Sequence, residues 1–187
     1  MSGTSYDFIV YDTDTGEIAY TGKSTDWQSQ VFEPNQSAIE GVVDVNLHKI
    51  SNGAVVDKTE AEKAPYLNFE RKRTIYDERL RRVRNGFMFA GKMYDFDVTS
   101  QNRISGAASL ANAAITAGAQ TGDLRWHGGT TDFAWITQDN SFVPMDAPTL
   151  LSMGQAAAEH ERAHVFAARA LKDDVSIDDV TADTHWP

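Results

Sequence analysis

Short β-rich runs separated by turn-forming residues recur four times, and nothing else in the sequence constrains the fold so strongly. Phe8–Tyr11 and Glu17–Thr21 flank Asp12-Thr13-Asp14-Thr15-Gly16, and Leu47–Ile50 and Ala54–Val56 flank Ser51-Asn52-Gly53. Asn-Gly favours the primed turns whose twist matches that of paired strands. A third hairpin is signalled across Gly86–Phe96 and a fourth by Phe133–Thr137 and Ser141–Met145 around Gln138-Asp139-Asn140. Strands this short form modules too small to stand alone, so they lean on neighbouring elements.

Helical periodicity supplies those neighbours. Phe69, Tyr76, Leu80 and Val83 fall at i, i+7, i+11 and i+14, which predicts one face of a helix that stops at Asn85-Gly86. If Gly91-Lys92 is a two-residue type II′ loop, Phe89 faces Tyr94 and Phe87 faces Phe96, and the four aromatics share one side. Thr99 or Ser100 can cap a second helix with the stripe Ile104, Ala108, Ala111 and Ile115, ended by Gly118, and its many Ala and Gly residues permit close helix approach. Asp146 is an N-cap for the last helix, with Pro148 in its first turn. Leu150, Met153, Ala157, His160, His164, Ala167 and Leu171 then follow a heptad a/d rhythm, the pattern of a packing seam. The expectation is an α+β chain: a β-rich N-terminal docking module at 1–57, a linker at 58–66, a helix–hairpin–helix–hairpin–helix module at 67–172 and an acidic flexible tail at 173–187. Within the β-rich module, Ser24-Thr25-Asp26 caps one short helical turn and Ser37–Val43 forms a further strand.

Composition narrows the function classes. With no cysteine among 187 residues there is no disulfide framework, thiolate metal site or cysteine nucleophile. The net charge of −10 argues against a general nucleic-acid role, which needs a basic footprint. No apolar run approaches the roughly 18 residues of a membrane span, so membrane insertion is not expected. Met1-Ser2-Gly3-Thr4-Ser5 lacks the basic and apolar regions of a signal peptide.

One catalytic motif stands out. His160-Glu161-Arg162-Ala163-His164 reads H-E-x-x-H on a helix, a spacing that puts two imidazoles on one face as zinc ligands with Glu161 as general base. A catalytic zinc needs a third ligand, but Ala167 and Ala170 occupy the Gly and His places of the extended motif, and no Glu follows Glu161. The expectation is therefore that His160 and His164 belong to the packing seam and that the protein has no catalytic or cofactor-binding residues, with a zinc-dependent hydrolase through this pair as an alternative. Two imidazoles in a helix contact could also loosen it on protonation, the alternative being that they bond water at its edge. Arg71-Lys72-Arg73 and Arg79, Arg81, Arg82 and Arg84 crowd the first helix, as a solvated face or as a surface for acidic groups, including the acidic tail of this chain or of a neighbouring copy. Trp126 and Trp135 are candidates for a sugar-binding face, though no cluster of carboxylates accompanies them.

The segments Ile9-Val10-Tyr11-Asp12, Thr15-Gly16-Glu17-Ile18, Ile39-Glu40-Gly41 and Asn52-Gly53-Ala54-Val55-Val56 resemble the N-terminal module of bacteriophage tail-fibre and tail-associated proteins. The stretch from Arg81-Arg82 through Gly86–Asp97, Ser100–Ile104 and Trp135–Val143 to the helix carrying His160 resembles a domain of unknown function found in such proteins. The resemblance implies a virion component of a tail, tail fibre or baseplate, made in the host cytoplasm and acting as an adaptor or attachment subunit. Its partners would be other tail or fibre proteins and copies of itself, with a trimer implied by the three-fold habit of fibres. The interface expected from the apolar seams comprises Leu150, Met153, Ala157, His160, His164, Leu171, Phe87, Phe89, Tyr94 and Phe96. A fibre assembly chaperone, absent from the finished particle, is the alternative.

Overall fold

The computed structural model describes residues 4–30 and 32–187 and has the expected α+β class, with short antiparallel strands and three helices. The chain divides into two compact units, residues 1–70 and 71–187.

In the first unit β1 (Tyr6–Asp12) lies between β2 (Ile18–Ser24) and β3 (Gln36–Glu40) in an antiparallel sheet. Consecutive Phe8, Ile9 and Val10 are all buried, because successive side chains point to opposite faces and this central strand is covered on both. Phe8 lies over Gly22, its cross-strand partner, where a Cβ would come within 2.6 Å of the ring. It also stacks on Trp27 at 6.2 Å, in the short 3-10 turn Trp27–Ser29. The Asp12 carboxylate accepts from the N–H groups of Asp14 and Thr15 and from the Thr15 hydroxyl, closing the turn, and from Asn35 Nδ2, which fixes the approach to β3. β4 (His48–Ser51) and β5 (Ala54–Asp57) form the second hairpin, with positive φ at both Asn52 and Gly53, as a type I′ turn requires. Ile50 N–H donates to Gly16 C=O at 2.8 Å, an approach so close that a Cβ on Gly16 would collide with the Ile50 carbonyl.

The expected linker at 58–66 is instead mostly helix: α1 runs Glu60–Arg84. Thr59 and Glu62 form a capping box that the polar, Pro-containing composition obscures. The Glu62 carboxylate accepts from Thr59 N–H and hydroxyl at 2.7 Å, and Glu62 N–H donates to Thr59 Oγ1. Lys49 of β4 adds an ion pair at 2.6 Å, and these contacts, Lys49 foremost, hold the Glu62 carboxyl down to about 2. The face of α1 also differs from the expected stripe. Phe69 and Tyr76 are exposed, whereas Ile75 and Val83 are buried.

In the second unit β6 (Phe87–Phe89) pairs with β7 (Lys92–Tyr94), and the loop is Ala90-Gly91, not Gly91-Lys92. Both loop residues have positive φ, the type I′ pattern. Phe87 therefore pairs with Tyr94 and Phe89 with Lys92. The loop shift preserves side-chain parity, so the aromatics still cluster, with Phe87 at 5.7 Å from Tyr94 and 5.2 Å from Phe96. Helix α2 (Val98–Thr116) is capped by Asp97, upstream of the expected Thr99 or Ser100, since its carboxylate accepts from both of their N–H groups. β8 (Ala134–Ile136) and β9 (Phe142–Pro144) form the last hairpin, and α3 (Ala147–Asp173) follows, capped as expected by Asp146. Ala108 of α2 packs so tightly on Gly154 of α3 that a Cβ on the glycine would lie 2.7 Å from that of Ala108. The main core joins Val83, the aromatics of the β6–β7 hairpin, Ile104 and Ala111 of α2 and the first half of α3.

The expected flexible tail is also folded. Val180 and Trp186 are buried against Ile75 of α1 and Ala168 and Leu171 of α3, forming a second core. The five aspartates suggest a solvated segment, but they sit between apolar residues that plug this core.

Candidate functional site

The seam residues expected to meet another subunit are used within this chain. Phe87, Tyr94, Phe96, Leu150, Met153 and Ala157 are buried in the main core, with Phe89 packed against it, while Leu171 belongs to the second core. Periodicity identifies an apolar face but cannot say whether its cover comes from the same chain, so this expected interface is corrected to an internal one.

His160 and His164 lie where α1, α3, the β6–β7 hairpin and the C-terminal residues converge. His160 Nε2 donates to the carbonyl of Val83 at 3.2 Å, satisfying a last-turn carbonyl of α1 that has no partner within its helix. His164 Nδ1 donates to the His160 carbonyl at 2.8 Å. Because carbonyls only accept, these contacts place the proton on Nε2 of His160 and on Nδ1 of His164. The rings lie 4.4 Å apart, and His164, only 4% exposed, stacks on Trp186 at 6.3 Å. Burial pushes the His160 pKa below its ordinary 6.5; the Val83 carbonyl acts against this, and the neighbouring His164 adds to it.

The arrangement supplies two imidazoles on one helical face. Each imidazole donates one N–H to a backbone carbonyl and keeps its other nitrogen, and Glu161 is exposed, lining a groove with α2 residues Ser105 and Asn112. Among the described residues no three His, Cys, Asp or Glu side chains assemble where an ion could bind. The H-E-x-x-H spacing places His164 buried and His160 half-buried in the packing of this unit.

The arginines find their partners in the tail. Arg71 donates through Nη1 to Ile177 C=O and through Nη2 to Leu171 C=O at 3.0 Å and Asp174 C=O at 2.8 Å. Arg82 donates to Thr181 C=O and the Asp183 carboxylate, pairs with Glu78 at 2.6 Å and lies over the Trp186 ring at 5.5 Å. Glu78 is held down to about 2, with Arg81 the largest cause and Arg82 also contributing. The sequence makes the acidic tail an available partner of these arginines, but its aspartates mask its packed form. The usable signal is the spacing of Ile177, Val180, Asp183 and Trp186 at every third position.

Trp126 donates its indole N–H to Met145 C=O at 3.0 Å and packs on Phe133 at 4.9 Å, so its polar atom is used internally. Trp135 lines a different groove, of about 630 Å³, with Leu110, Ile136 and Arg103. The two tryptophans do not form one sugar-binding face. A groove of about 690 Å³ beside the histidines is bounded by Arg81, Met88, Met93, Glu159 and Pro187.

No curated protein and no solved structure matches this chain. A family model described as a domain of unknown function, DUF4376, matches residues 68–185, which takes in most of α1, both hairpins of the second unit, α2, α3 and nearly all of the C-terminal segment. With well over half of its 187 residues matched, the chain belongs to the DUF4376 family.

Proposed function

We propose that the protein is a non-catalytic adaptor subunit of a bacteriophage tail, tail fibre or baseplate, joining a β-rich docking unit to a DUF4376 unit. The observation that carries the non-catalytic part is how the chain uses its reactive side chains. His160 and His164 hydrogen-bond backbone carbonyls, Arg71 and Arg82 bind the C-terminal segment, and the Asp12, Asp97, Asp139 and Asp146 carboxylates hold turns and caps. Chemistry needs a nucleophile, acid or ligand set free to meet a substrate; these groups serve geometry instead. The tail assignment rests on the resemblance of the N-terminal segments and of the stretch from Arg81 to the His160 helix. Exposed Met88, Ile136 and Phe142 on the hairpins are contact points suited to neighbouring subunits.

Mass spectrometry of purified, intact particles of the source phage tests this. The chain is expected at a fixed low ratio to the major tail proteins. Its presence only in infected-cell lysate would instead establish the assembly-chaperone reading.

A further inference from the structure

The C-terminal residues behave as a bound peptide more than as a part of the helical scaffold. From Ile177 onward they form no strand pairing and no α-helix, only a short 3-10 turn at Asp183–His185. They are held by side chains of α1 and by the apolar plugs Val180 and Trp186, with Ile177 packed beside them. Arg71 takes the Ile177 carbonyl, Val180 enters the second core, Arg82 takes the Thr181 carbonyl and the Asp183 carboxylate, and Trp186 fills the slot between Arg82 and His164. Arg71 and Arg82 thus read backbone carbonyls and one acid, as arginines reading an acidic peptide would. The floor beneath is Ile75, Ala168 and Leu171, an apolar patch that must be covered.

The connection to α3 is short and outward-facing. Val175 is 75% exposed, and Ser176 hydrogen-bonds only to the Asp174 carboxylate. We infer that the α1–α3 face is a peptide-recognition cradle for an acidic, tryptophan-bearing segment, filled here by the chain's own residues 177–187 and open to the same segment of a second copy. A second copy is the occupant that the chemistry favours, because its strap offers identical plugs, carbonyls and aspartate. Exchange conserves every contact except those of the hinge, which is the general route to swapped assemblies. A short tether keeps its own strap at an effective concentration on the order of millimolar. Exchange therefore prevails where copies are held side by side, independently of which assembly the chain enters.

The probe is a fluorescein-labelled peptide of residues 174–187, titrated by anisotropy into the full chain carrying Trp186→Ala, which weakens the resident strap. Saturable binding is expected, at least tenfold weaker when Arg82→Ala is added. Failure to bind, or binding indifferent to Arg82, overturns the inference. If Trp186→Ala loses its helices by circular dichroism, deletion of Val175 and Ser176 decides the matter, because the shortened hinge prevents the strap from looping round Arg71. A strap-exchanged dimer by native mass spectrometry then supports the cradle, and a monomer at all concentrations overturns it.

Discussion

His160 shows how a residue chosen by periodicity acquires its role from its surroundings. Its Nε2–H holds the Val83 carbonyl, and its burial disfavours the charged form. A folded pKa below the unfolded one means that the native state binds fewer protons, so this contribution is fully present above the unfolded value near 6.5. It is lost as the pH falls through the lower folded value. Urea midpoints are expected to be flat above neutrality and to decline below that point, with a smaller decline in His160→Gln, whose amide donates to the same carbonyl without titrating. Equal declines in both proteins would remove His160 from the account.

Among the elements, the β6–β7 hairpin carries a correctable defect. Ala90 sits at φ 47°, where an L residue with a Cβ is disfavoured by about 1–2 kcal/mol, while its partner Gly91 at φ 76° is at ease. Ala90→Asn turns the loop into Asn-Gly, the preferred type I′ pair, and is expected to raise stability by about 0.5–1 kcal/mol in denaturant titration. A drop would mean that the loop is not type I′. Nothing local marks Ala90 as a turn position, because alanine carries no turn signal; the position is set by Phe87 and Tyr94 seeking the same core. The helix caps differ in the same way. Asp146 was legible because Pro148 follows it, whereas Thr59 was masked by Pro65 and the charged run around it.

At the scale of the whole molecule, both cores of the second unit are built only from residues between Ile75 and Trp186. A fragment of residues 57–187, which keeps the Thr59–Glu62 box, is therefore expected to melt cooperatively with the helix content of α1, α2 and α3 by circular dichroism. Loss of the cooperative melt would show that the first unit is needed to complete the fold.

The sequence by itself determined the α+β class, three of the four hairpin turns, the close-packed α2 stripe and the buried face of α3, because each is a local pattern of turn chemistry or periodicity. Only the tertiary structure decided what covers those faces. The same a/d stripe serves a neighbouring helix or another subunit equally well, and here α2, the hairpins and the C-terminal segment close it from within. The H-E-x-x-H spacing likewise marks two side chains on one face, but a site requires a third ligand from elsewhere in the chain, and the fold brings Val83 and Trp186 there instead. The arginine run and the acidic tail read as available partners, but which residues meet, Arg71 with the Ile177 carbonyl and Arg82 with the Asp183 carboxylate about a hundred positions away, is a contact that no local pattern encodes.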